Sequence, residues 1–187
     1  MATISDLSKG NYIRYNGEIM QVEELQHRTP GNLRAFYQVK MRNLRNGKLA
    51  ENRFRPGDSV DLLRVETKEY QFLYTDGSSL VCMDNDTFEQ IYLDKALLGD
   101  SVHYIKEGVI LLIAFENGTN PITAEAPQHV VVNITYTEPG VQGDTATRTL
   151  KSATIETGAE IRVPLFINTG DNVKIDTRKG DYIERVK

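Results

Sequence analysis

EIMQVEELQHRTPGNLRAFYQVKM, residues 18–41, is the stretch whose reading decides the fold. Glu18–Gln26 carries Ile19, Val22 and Leu25, and Ala35–Met41 alternates through Phe36, Tyr37, Gln38, Val39 and Lys40, the pattern of a half-buried strand. Between the two runs stands Pro30-Gly31, a turn pair in which Pro presets φ and Gly accepts a positive φ without a Cβ clash. The stretch therefore predicts a β-hairpin finger. A strand rises about 3.3 Å per residue, so arms of roughly eight residues reach about 25 Å from whatever barrel anchors them. A Gly31→Val change is expected to distort the tip if Gly31 takes the left-handed conformation.

Period two continues along the chain. Ser59–Val65, Tyr70–Tyr74, Ser79–Met83, Val109–Phe115, Val130–Tyr136, Glu160–Ile167 and Asn172–Asp176 are short and rich in β-branched and aromatic residues. Turn signals such as Asp76-Gly77, Asn117-Gly118, Pro139-Gly140 and Lys179-Gly180 separate them. Only Asp86–Leu98 has helical character, with Phe88, Ile91 and Tyr92 able to share a face; a single helical turn fits as well. The class is all-β. Breaks near Arg64–Glu66 and near Ala124–His129 predict three small barrels, 1–64, 65–127 and 128–187. The last two have the length of five-stranded oligonucleotide-binding (OB) barrels.

The net charge of −4 over 187 residues hides an uneven distribution. Counted from the sequence, residues 1–64 are net +4, residues 65–127 net −8 and residues 128–187 neutral. The first segment is thus expected to face phosphate and the second to face solvent or a basic protein. No run of eighteen apolar residues and no export signal is found, so a membrane partner is not expected and the cytoplasm is the expected compartment. The single cysteine, Cys82, lies in the apolar run Leu80-Val81-Cys82-Met83, which predicts a packed thiol in a reducing environment.

Catalytic readings find little support. His27, His103 and His129 are scattered without metal-ligand spacing, Cys82 sits in an apolar strand, and no glycine-rich loop precedes a helix. No metal, cofactor or catalytic residue is expected. Binding readings fare better, because the first segment supplies Arg28, Arg34, Lys40, Arg42, Arg45, Lys48, Arg53 and Arg55. Guanidinium groups hold phosphate through paired hydrogen bonds. Arg28, Lys40 and Arg42 are the candidate RNA-backbone contacts. The tip residues Pro30, Gly31, Asn32, Leu33 and Arg34 are the candidates for contact with an exposed sugar or base edge. In the polar loop Thr137–Ala146, Gly143, Asp144 and Thr145 are able to hydrogen-bond unpaired bases, or to close an Asx turn.

Four ordered motifs resemble bacterial translation elongation factor P, across essentially the whole chain. Lys151-Ser152-Ala153, then Gly158, Ile161, Val163-Pro164, Ile167 and Gly170, match the family pattern K-x-A, a short spacer, G-x-x-[ILV]-x-V-P-x-x-[ILV]-x-x-G. Thr137–Ala146 is similar to its PG-x-x-GDTA loop, Val173–Lys187 to its closing strands, and Asn85–Gln90 to its N-x-[ED]-T-[FY]-[ED]-Q stretch. The resemblance implies an SH3-like first domain of the KOW kind followed by two OB barrels, in an L-shaped arrangement that mimics tRNA. It implies a monomeric, non-catalytic factor that binds the ribosome between the peptidyl and exit sites. There the factor steadies peptidyl-tRNA at its CCA end and relieves stalling at consecutive prolines, with Gly143-Asp144-Thr145 approaching the mRNA codon in the exit site.

Two departures qualify the resemblance. Aligned on Pro30-Gly31 and Ala35-Phe36, the tip Lys or Arg of the family falls on Asn32, and its following Gly and Gln on Leu33 and Arg34. Asn32 has no amine, so no modified tip residue is expected. Thr147-Arg148-Thr149-Leu150 replaces a Gly-rich run after the second loop. A divergent paralogue of the family and a general single-strand RNA-binding OB protein remain the alternatives.

Overall fold

The computed structural model describes residues 2–31, 34–139 and 150–186. Its strands form three antiparallel sheets, as the period-two pattern requires. The first contains β1 (Ala2–Thr3), β2 (Tyr12–Tyr15), β3 (Glu18–Arg28), β4 (Phe36–Asn43), β5 (Leu49–Phe54) and β6 (Ser59–Leu63), in the order β1-β6-β2-β3-β4-β5. Asn16-Gly17 turns β2 into β3 with φ of 52° and 81°, the signature of a two-residue hairpin whose twist matches its strands. Ile4, Leu7, Ile13, Met20, Val22, Val39, Met41 and Val60 form the core of this sheet. Removing their apolar surface from water holds the sheet curled.

The second sheet contains β7 (Val65–Asp76), β8 (Ser79–Asp84), β9 (Gln90–Asp94), β10 (Ile110–Glu116) and β11 (Asn120–Glu125), in the order β11-β10-β7-β8-β9. Cys82 lies in β8 and is fully buried, as expected, and burial pushes its thiol up to about 11. The third sheet contains β12 (His129–Thr137), β13 (Leu150–Ile155), β14 (Glu160–Pro164), β15 (Asn172–Asp176) and β16 (Asp181–Val186), in the order β14-β13-β12-β15-β16. Val132, Ile134, Ile155, Val163, Ile167, Val173 and Ile175 are its innermost residues.

Of the two readings of Asp86–Leu98, the helix face does not form, and short helical turns begin only at Lys95. Asp84 accepts the backbone N–H groups of Asp86 and Thr87, which starts a turn, and Phe88 leaves that turn with φ of 60° and its ring exposed. Leu93 then points inward while Tyr92 points out, so residues 90–94 obey a period of two. Short 3₁₀ turns cover Lys95–His103, interrupted at Gly99, with the Asp94 carboxylate accepting the Ala96 N–H at 2.9 Å. The expected strand Glu160–Ile167 ends earlier, at Pro164.

The chain gathers into two compact units, residues 1–67 with 114–123, and residues 68–113 with 124–187. Within the first, the Arg14 guanidinium donates to Glu116, and the Asn117 N–H donates to the Arg64 carbonyl at 2.9 Å. Within the second, Tyr104 and Val109 pack against the core of the third sheet, and Thr157 donates to the His103 carbonyl at 2.7 Å. Gly180 is required there twice over: its φ is +72°, and a Cβ would stand 2.6 Å from the Tyr104 ring. Glu156, raised by burial but lowered further by hydrogen bonds from Lys106 and the Asn133 N–H, keeps its carboxyl below the usual range.

Candidate nucleic-acid interface

The predicted hairpin is β3 paired with β4, in register from Met20 opposite Asn43 to Arg28 opposite Phe36. A bulge between Val22 and Glu24 makes Glu23 the extra residue and re-aims the strand from Glu24 to Arg28. The finger does not stand free, however. β5 runs beside β4 from Arg42 opposite Leu49 to Tyr37 opposite Phe54, and Leu25, Tyr37 and Phe54 pack against the barrel core. Only the last pair and the loop project beyond this three-stranded support. The reach is therefore shorter than two bare arms suggested, and stiffer.

Residues directly opposite one another share a face, so the register sorts the side chains into rows. One face carries His27, stacked on Tyr37 with ring centroids 4.6 Å apart, and leads down to the core. The other face carries the rows Glu24–Lys40–Glu51, Gln26–Gln38–Arg53 and Arg28–Phe36.

The cations along this outer face are not equivalent. Lys40 donates to Glu24 at 2.7 Å, and this hydrogen bond, with a second from Gln26, holds the Glu24 carboxyl below the usual range. Arg42 is held by Glu23 and by the Gly47 carbonyl. These two sequence-predicted phosphate contacts are thus engaged by acidic neighbours. Arg28, in contrast, leans on the neutral Gln26 oxygen at 2.7 Å, and Arg53 lies over the Phe36 ring, 5.1 Å from its centroid. Among the described residues, Arg28, Arg34, Arg53 and Arg55 have no carboxylate in ion-pair contact.

At the tip, Thr29, Gly31 and Arg34 are exposed and Pro30 is half-buried. Gly31 has no left-handed φ, and a Cβ built on it meets nothing within 4 Å, so the condition under which Gly31→Val is expected to distort the tip is not met. Asn32 and Leu33 lie outside the described residues, as do Gly143, Asp144 and Thr145. The ends of the latter loop are pinned: Thr137 donates to the Ser152 carbonyl at 2.8 Å and Lys151 to the Glu138 carbonyl at 2.7 Å. Sequence reasoning counts Arg53 and Arg55 only among the cations of the first segment and does not connect them with Phe36. Their signal lies in Arg53-Phe54-Arg55, where alternation turns both arginines outward once residues 49–54 are known to be a strand.

Domain models of one family match the chain in order: the elongation factor P KOW-like domain over residues 3–60, its OB domain over 65–123 and its C-terminal domain over 130–185. Over 187 residues the chain is 46% identical to "Elongation factor P" of Chloroherpeton thalassium, covering 100% of both sequences. The chain belongs to the elongation factor P family. A second elongation factor P, from Flavobacterium psychrophilum, is 46% identical over 188 positions, again with 100% of each chain covered. A solved translation initiation factor eIF-5A family protein from Naegleria fowleri shares the fold, with a TM-score of 0.52 and 14% identity over 67% of this chain and 94% of that one. The all-β class, the KOW-like first domain and the OB domains of elongation factor P agree with the three curled sheets of this chain.

Proposed function

We propose that this chain acts as a monomeric, non-catalytic cytoplasmic factor that binds the ribosome between the peptidyl and exit sites. It steadies the CCA end of peptidyl-tRNA and promotes peptide-bond formation at consecutive prolines. The observation that carries this reading is the change of charge along the ribbon: cations near the barrel are engaged by acidic neighbours, while Arg28 and Arg34, at the exposed end, have no carboxylate in ion-pair contact among the described residues. An unpaired guanidinium on a stiff support has lost little solvation and is free to take phosphate through two hydrogen bonds.

The protein contributes position rather than a reactive group. Proline is a poor partner in peptide transfer, and holding the tRNA end in its reactive alignment removes part of the entropic barrier. In this reading residues 1–64, 65–127 and 128–187 are three domains. Pro30, Gly31, Asn32, Leu33 and Arg34 meet the CCA end, and Arg28, with Lys40 and Arg42 when exchanged from their acidic partners, meets the RNA backbone. Gly143, Asp144 and Thr145 meet the exit-site codon. Asn32 offers no amine, so the tip works unmodified.

Purified ribosomes translating a Pro-Pro-Pro message test the reading. Faster tripeptide formation on adding the protein is the expected result, with an intact mass equal to that of the unmodified chain. Binding to free RNA with no effect on the rate of synthesis would instead mark a general single-strand RNA-binding protein, and an adduct on Asn32 would overturn the unmodified tip.

A further inference from the structure

A second contact point lies beside the fingertip, and the inference deepens the proposed ribosomal function and rests on it. Arg55 comes directly after Phe54, the partner of Tyr37, and so stands one place beyond the β4–β5 ladder, level with Phe36. Arg34, Ala35, Phe36, Arg55 and Pro56 line a cleft of ≈ 580 Å³ there, and the guanidinium of Arg53, outside that lining, lies over the Phe36 ring. The volume falls within the range of small-ligand clefts and suits a single nucleotide. The lining holds one aromatic ring, two arginines, an alanine and a proline.

Among the described residues no carboxylate is in ion-pair contact with Arg34, Arg53 or Arg55. The acid nearest to Arg55 in sequence, Asp58, accepts the Arg55 backbone N–H at 2.7 Å through one oxygen and caps the turn. Two cations lining one cleft without a counter-charge repel one another, and an anion between them relieves that repulsion. An aromatic ring capped by a guanidinium is, moreover, a stacking surface for any base, because every base has a π-face.

We propose that this cleft takes one nucleotide of a single-stranded RNA end, with its phosphate between Arg34 and Arg55 and its base on the Phe36–Arg53 stack. The tip and the cleft then hold one RNA strand at two places, which fixes its direction as well as its position.

The test uses the full chain free in solution and a fluorescent RNA hairpin ending in single-stranded CCA, titrated by anisotropy over a range of salt. Arg55→Gln is expected to weaken binding about tenfold and to reduce the slope of log affinity against log salt by about one, the value for one lost phosphate contact. Arg55→Lys is expected to keep the slope. Phe36→Leu is expected to weaken binding about fivefold with the slope unchanged, because stacking releases no counterions. Unchanged thermal midpoints show that the variants fold. The inference requires both the slope change and the stacking loss; absence of either, or no binding by the parent protein at low salt, overturns it. The tri-proline assay separates the two readings. A parent protein that does not accelerate synthesis defeats the ribosomal function alone, and cleft variants that bind the hairpin like the parent defeat the cleft alone.

Discussion

The barrel-side and tip-side halves of one β-ribbon divide stability from binding. Near the barrel, Val39 and Met41 are fully buried, while on the opposite face Lys40 sits between Glu24 and Glu51. Near the tip the inward residues thin out to His27 stacked on Tyr37, and the outward arginines lose their acidic neighbours. The same two strands therefore carry both roles. The difference lies in which residues the register sets opposite each cation. A cation with a carboxylate across the strand is neutralised, and one opposite glutamine or phenylalanine keeps its charge for an outside ligand.

Four measurements break or sharpen this contrast. Met41→Ala, on the barrel side, is expected to lower unfolding stability by about 2–5 kcal/mol in a urea titration, because it leaves a cavity in a closed core. A loss below about 1 kcal/mol would mean that the barrel half is not the structural half. Arg34→Ala, on the tip side, should slow tri-proline synthesis about tenfold, the cost of a charge-assisted contact. Its thermal midpoint should stay within about 2 °C of the parent, and a collapse of the fold would contradict an exposed tip.

Lys40→Ala should slow the same synthesis no more than about twofold, since its ammonium is already held by Glu24 and exposed pairs contribute little. A loss matching that of Arg34→Ala would erase the distinction. The subtlest test is pH. The Glu24 carboxyl is lowered in the fold, first by its hydrogen bond from Lys40, so the pair stabilises above the ordinary glutamate pKa and that contribution is lost as pH falls through the lowered value. Thermal midpoints of the parent and of Glu24→Gln should accordingly differ near neutrality and converge in acid. A difference that persists once Glu24 is protonated in acid would assign the effect to packing instead.

Most of the strands are legible because buried faces recur every second residue: Ser79–Met83, Val130–Tyr136 and Asn172–Asp176 match β8, β12 and β15 within a residue or two. β5 is not legible. It is an edge strand whose outward positions are Leu49, Glu51 and Arg53 and whose inward ones are Ala50, Asn52 and Phe54, so its alternation carries little apolar signal. β9 reads as helix for a related reason. The exposed rings of Phe88 and Tyr92 mimic a helical stripe, and the turn that separates them depends on the Asp84 carboxylate. The candidate site divides in the same way: Arg28 and Arg34 are legible from their place beside a Pro-Gly turn, whereas Arg53, Arg55 and Phe36 need β5.

Taken alone, the order of residues determined the all-β class, the family motifs from Asn85 to Gly170, the packed thiol of Cys82 and the lack of an amine at Asn32. These depend on residue type and local period, which chemistry and short-range sterics set. The tertiary structure alone decided which cations are free. Pairing depends on cross-strand register, and one extra residue at Glu23 changes which side chains stand opposite. A charge count cannot see that shift, and the shift is what separates Lys40, held by Glu24, from Arg28, resting on Gln26 with its charge open to a ligand.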